Sequence, residues 1–189
     1  REIANRNIGG GWVYAWVKIP SLSSTVDTVI YIYYGNPAAA ETDDTDTWKT
    51  SFQMVQHLRD NIGGSSGGTV VYDSTYHNND GTKKADGEPA EATGQVYKTQ
   101  LFDGGNDLIN CGDGSGKGLN YTDCLSIAAW VKPNSPSGYA TIAGKWLTGT
   151  SQRVYWLCLS GLSAHFFISK DGSNYAAAVV AIDDGVWTH

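Results

Sequence analysis

Apolar and polar positions alternate with period two along most of the chain. In 12–19 (WVYAWVKI), Trp12, Tyr14 and Trp16 fall on one side of an extended strand, with Val13, Ala15, Val17 and Ile19 on the other. Pro20 has no ladder donor and stops that run. The stretch 28–34 (TVIYIYY) is β-branched and aromatic throughout and ends at Gly35, Asn36 and Pro37, a strong turn signal. The same pattern predicts strands over 53–58, 69–72, 106–111, 125–132, 139–145, 153–159, 164–169 and 176–182. Gly, Asn, Asp, Ser and Pro separate them at the spacing of a β-sandwich. Only 38–49 (AAAETDDTDTWK) offers a helical turn, and its Thr and Asp clusters favour a capped turn or linker.

Composition sharpens this picture. Of the 19 acidic residues only Glu2, Glu41, Glu88 and Glu91 are Glu; the rest are Asp, which suits turns better than helix interiors. With 23 Gly, 11 Tyr and 7 Trp, the chain reads as strands joined by many turns, with little helix. A hydrophobic fraction of 41% excludes wholesale disorder. The formal charge of −6 argues against a nucleic-acid or anionic-membrane partner, which needs a basic face. No apolar run is long enough for a membrane-spanning helix, and no signal peptide is visible. Met54 is the only methionine, so a chain starting at Arg1 reads as a processed or excised piece.

Several chemical signatures fail on spacing. The glycines of 112–119 (GDGSGKGL) do not match a phosphate loop, because Gly118 follows Lys117 where Ser or Thr belongs. Asp44 and Asp46 lack the Gly and distal Glu of an EF-hand. His57, His77, His165 and His189 never pair at zinc-ligand spacing. Glycoside hydrolysis needs two facing carboxylates, and no predicted strand carries such a pair; the four Glu are expected in loops or near the terminus. No Gly-x-Ser-x-Gly elbow occurs. The low-complexity loop 61–68 (NIGGSSGG) and the polar stretch 76–91 are loops within a domain. The segment 43–47 (DDTDT) marks the better boundary. Asn120, Tyr121 and Thr122 form a glycosylation sequon of little weight in a Thr- and Asn-rich chain.

Two stretches carry a family resemblance. Residues 16–20 (WVKIP) followed by 27–37 (DTVIYIYYGNP) resemble the end of an uncharacterised prokaryotic surface domain that commonly precedes a laminin-G-like jelly roll. Residues 55–58 (VQHL), 73–75 (DST), 78–81 (NNDG), 101–104 (LFDG) and 127–133 (IAAWVKP) then resemble the opening strands of that jelly roll, and 185–189 (GVWTH) continues it. The resemblance implies an all-β, antiparallel jelly-roll β-sandwich of concanavalin A-like, laminin-G-like type over 46–189, after a β remnant over 1–45. It also implies closing strands beyond His189, hence an incomplete folding unit prone to self-association or to strand complementation by another chain.

Candidate sites follow from that resemblance. Laminin-G-like domains often hold calcium in loops, which here places Asp73, Asn79, Asp103 and Asp107 as candidate ligands for a structural Ca2+, unless they simply bond their own turns. Sugars stack on aromatic faces, which makes Trp146, Tyr139, Tyr155 and Tyr175 the candidate ligand-binding residues. Trp156 lies among the same strands, and core packing between two sheets is the alternative for each of these rings, Trp130 and Trp156 in particular because they alternate with apolar residues. Cys111 and Cys124 flank a Gly-rich loop and form a candidate disulfide, with Cys158 as a buried thiol; three reduced thiols is the alternative. The function expected is a non-catalytic, extracellular or cell-surface recognition module that binds glycan or a surface protein. The alternative is a structural subunit or spacer of a surface layer or filament, and a polysaccharide-active fragment ranks third.

Overall fold

A computed structural model describes residues 2–7, 11–36, 38, 45–48, 51–60, 69–84, 88–112, 118–121, 123–147, 149 and 151–189, with backbone only for 2–7, Thr45 and Asp60. The loop 61–68, residues 41–44, most of 112–119 and Thr122 lie outside these described residues. The described chain is all-β and antiparallel, with one 3-10 turn at Thr45–Thr47 inside the stretch that offered a helical turn.

Twelve strands are present among the described residues: β1 (Glu2–Asn7), β2 (Trp12–Trp16), β3 (Gln56–Asp60), β4 (Val70–Asp73), β5 (Gly81–Lys83), β6 (Ala90–Thr93), β7 (Lys98–Leu101), β8 (Ile109–Asn110), β9 (Tyr139–Leu147), β10 (Gln152–Ser160), β11 (Ser163–Ile168) and β12 (Ala176–Ala181). They form two four-stranded sheets, ordered β3-β4-β5-β8 and β12-β11-β10-β9, and two hairpins, β1-β2 and β6-β7. This arrangement is compatible with a β-sandwich. β1, β5, β6 and β7 were not legible as strands. KTQL lacks apolar alternation and AEAT alternates only through alanines, so their pairing comes from a neighbour rather than from their own pattern. Glu91 consequently lies in β6, not in a loop, and its carboxylate meets Lys98 Nζ on β7 at 2.5 Å.

Two expected strands do not form ladders. Residues 28–34 form no ladder among the described residues, with Tyr33 92% and Tyr34 93% exposed. Residues 125–132 keep the expected alternation of half-buried and exposed side chains, yet they have a single bridge, Val131 to Thr188. Trp130 is an exposed side chain of this segment beside His189, not a core residue. Period-two burial needs only an extended backbone over a core, whereas a ladder needs a second strand at about 4.8 Å.

The buried hydrophobic set is small: Val71, Leu119, Tyr155, Cys158, Leu159 and Phe167. Tyr155 of β10 meets Tyr121 edge-on at 6.3 Å. The β1-β2 hairpin docks through the side of β2 that carries Tyr14 and Trp16. Trp16 stacks on His57 at 5.2 Å and touches Trp48 at 5.5 Å, while Tyr14 stacks on Tyr97. Lys18 Nζ donates to the Asp46 carbonyl, so these contacts cross the expected 45/46 boundary.

Candidate functional site

One face of the β9–β12 sheet carries a continuous aromatic cluster. Trp156 on β10 stacks on Trp146 of β9 at 5.9 Å and on Phe167 of β11 at 5.4 Å. Tyr139 packs on Trp156 at 5.2 Å, and Tyr175 meets both Trp146 and Phe167 edge-on. His165 stacks on Phe167 with an interplanar angle of 11°. The Arg153 guanidinium lies over the Trp146 ring at 5.6 Å and the Tyr175 ring at 5.9 Å, a cation–π pairing that fixes both rings. Its Nη1 donates to the Ser173 carbonyl at 2.5 Å. Phe167 is the buried floor, and Tyr139 and Tyr175, at 58% and 57% exposed, form the rim.

Two bulges assemble this face. Tyr139 and Trp146 are seven residues apart, which puts them on opposite sides of a regular strand. The register slips where Leu157 faces Ala143 but Cys158 faces Thr141, so both rings reach Trp156. A second slip between Arg153 and Tyr155 sets Arg153 directly opposite Trp146. Gly144 lies opposite Trp156, and a Cβ there would stand 2.8 Å from the indole. The glycine lets the indole lie flat over β9, where its Nε1 donates to Thr141 Oγ1 at 2.9 Å.

Of the four expected sugar-binding residues, Trp146, Tyr139 and Tyr175 come together here. Tyr155 does not: adjacent to Trp156 in β10, it faces the other way and is only 9% exposed. Burial, then Tyr121 and Cys111, pushes its phenol above the ordinary range, as burial does for Tyr121. Trp156, for which the pattern left core and exposed face open, is half-buried at the centre of the cluster. Phe167, His165 and Arg153 carried no signal, since pairing to β9 and β10 selects them. The ring-bearing side of β10 also carries Cys158, fully buried opposite His165, and burial raises its thiol to about 11.

The expected calcium ligands split into two loops. Asp73 Oδ1 accepts from the backbone N–H of Val55 and Thr75, and Oδ2 accepts from Thr75 Oγ1 and the N–H of Asn79. Four donors fill the four lone-pair sites of a carboxylate and leave no position for a cation. Asn79 Nδ2 donates to the Gln53 carbonyl, so this pair ties three loop segments together. Asp103 and Asp107 make their own turn, Asp107 Oδ2 accepting from Asp103 N–H and Asp103 Oδ1 from Gly105 N–H. Among the described residues, no three His, Cys, Asp or Glu side chains form a set able to hold a metal ion. The donor set therefore does not fit calcium at Asp73. Cys111 and Cys124 are both thiols in the structure, half-buried and exposed respectively, rather than a bridge.

A family model described as Domain of unknown function (DUF2341) matches residues 5–108, more than half of the chain. The chain belongs to this family. Nothing among the curated proteins or the solved structures matches it. The DUF2341 match runs from within β1 to the residue before β8, so it takes in the end of β1, all of β2 and the Asp73 loop. The aromatic face lies wholly C-terminal to the DUF2341 match.

Proposed function

We propose that this chain is a non-catalytic recognition module, acting outside the cell or at its surface, that binds glycan across the aromatic face of the β9–β12 sheet. The observation that carries the reading is the graded exposure of that face, from a buried Phe167 through half-buried Trp146 and Trp156 to a rim of Tyr139 and Tyr175. Sugar rings present apolar C–H faces that stack on such rings, while their hydroxyls need polar groups at the edge. Ser173, Asn174 and Thr141 supply those groups beside the rings. The strand positions of this face hold no Asp or Glu among the described residues, which favours binding over acid–base cleavage. The two antiparallel four-stranded sheets support a laminin-G-like jelly roll as the finer description of the fold.

A glycan array with the whole chain tests the proposal, followed by titration of Trp146→Ala and Tyr155→Phe. Binding should weaken about tenfold in Trp146→Ala, the equivalent of one lost stacking contact. Tyr155→Phe, on the opposite side of β10, should bind as the parent does. Absence of glycan binding, or equal binding by all three proteins, overturns the reading.

A further inference from the structure

Building on the glycan reading above, we propose that the β9–β12 face selects acidic glycans, a carboxylate or sulfate of the ligand pairing with Arg153 while a sugar ring stacks on Tyr175 beside it. Arg153 is half-buried, and its guanidinium lies over Trp146 at 5.6 Å and Tyr175 at 5.9 Å. Such ring contacts stabilise the cation through its two faces only. Its five N–H donors lie in the guanidinium plane and need acceptor oxygens. Nη1 has one in the Ser173 carbonyl, whereas Nε is buried without an acceptor among the described residues.

No carboxylate balances this charge among the described residues. Asp171 is the acidic residue of the adjoining turn, and its oxygens accept from Ser173 and Asn174 instead. A cation partly stripped of water and left unpaired is unfavourable. An oxyanion brought by a ligand offsets that loss, which a neutral hydroxyl does only weakly. The planar guanidinium also matches a carboxylate or sulfate with two parallel N–H bonds.

The surroundings suit a sugar that carries such a group. Tyr175, itself exposed, offers a ring at the side of the guanidinium. The Ser151 and Ser173 hydroxyls lie 2.9 Å apart where Ser173 holds Arg153, and both residues are exposed, so ring hydroxyls can exchange hydrogen bonds there. Charge is distributed to match. Residues 139–182 hold Lys145, Arg153 and Lys170 against Asp171 alone, formally +2 within a chain of −6. An anion is therefore drawn to this sheet and away from the acidic remainder.

Calorimetric titration of the whole chain tests the pairing. Uronic-acid and sulfated tetrasaccharides are each compared with their own carboxyl-reduced or desulfated form, and the two arms identify which oxyanion the site takes. At least one acidic form should bind the parent about tenfold tighter than its neutral form, as one charge-assisted contact implies. That ratio should fall to about one in Arg153→Gln, and strong salt should reduce it in the parent. It should persist in Lys145→Gln, which removes the same charge from the opposite side of β9, next to Trp146 in sequence and paired with Tyr155. A ratio is insensitive to a general loss of ring packing in Arg153→Gln, and the parent comparison stands even if that variant fails to fold. Neutral forms bound as tightly as acidic ones overturn the inference and leave the glycan reading in place. A preference that survives Arg153→Gln, or one lost in Lys145→Gln, overturns the pairing with Arg153. Binding of no tetrasaccharide, acidic or neutral, removes the glycan reading and this inference together.

Discussion

Asp73 shows how much of a loop one carboxylate can hold. It binds the N–H groups of Val55, Thr75 and Asn79, and its own N–H donates to Asp80 Oδ1. Its residue type and turn setting were legible in the sequence, but the convergence of donors from Val55, Thr75 and Asn79 was not. Acidic turn residues suit a cation and a set of backbone amides equally, and only the fold decides which arrives. Asp73→Asn sets an amide N–H2 against two of the four donors. We expect it to destabilise the chain by about 3 kcal/mol, given the worth of hydrogen bonds to a charged acceptor. Urea unfolding measures this, and a change within about 0.5 kcal/mol would show that these bonds do not hold the loop.

At the scale of elements, the turn between β11 and β12 sets the edge of the aromatic face. Asp171 Oδ1 accepts from the N–H of Ser173 and Asn174, and Oδ2 accepts from Asn174 Nδ2. Gly172 sits at φ +80°, where an added Cβ would collide with the Ser151 carbonyl, so the turn fits closely against the β9-β10 hairpin. The Asn174 side chain, then the Ser173 and Asn174 N–H groups, holds the Asp171 carboxyl down at about 2. A depressed carboxyl stabilises the turn fully above its ordinary value of 3.8, and that support is lost as pH falls towards 2. The Ser173 and Asn174 amide resonances should accordingly hold their positions down to about pH 4 and shift with a midpoint near 2. Asp171→Asn should remove that shift; a midpoint at the ordinary carboxylate value would contradict the capping role. The same scale explains the strands. Alternation identified β9, β10, β11 and β12, but each bulge moves every residue beyond it to the other face. The cluster could not be assembled from period two alone.

At the scale of the whole molecule, the β1-β2 hairpin packs on the rest of the chain through its aromatic side. Trp16 lies between His57 and Trp48, and Phe52 extends the group from Trp48. Trp16→Ala should therefore destabilise the entire chain, by about 2 kcal/mol for a half-buried indole. Thermal unfolding followed by far-ultraviolet dichroism should move to lower temperature as one transition. An unchanged midpoint would make the hairpin an independent appendage.

The all-β class, the low helix content and most of the long strands are properties of the sequence by itself. β-branched and aromatic alternation, interrupted by Gly, Asn, Asp and Pro, permits little else. That Trp12, Tyr14 and Trp16 share one side of β2 was equally legible, but which side of the strand would pack was not. Only the tertiary structure decided that 28–34 forms no ladder among the described residues, that Tyr155 faces inward while Trp156 faces the rings, and that Asp73 serves amides. Each of these depends on what lies beside a residue rather than on the residue itself. A strand needs a neighbour, a face depends on every bulge before it, and a carboxylate takes whichever donors the fold delivers.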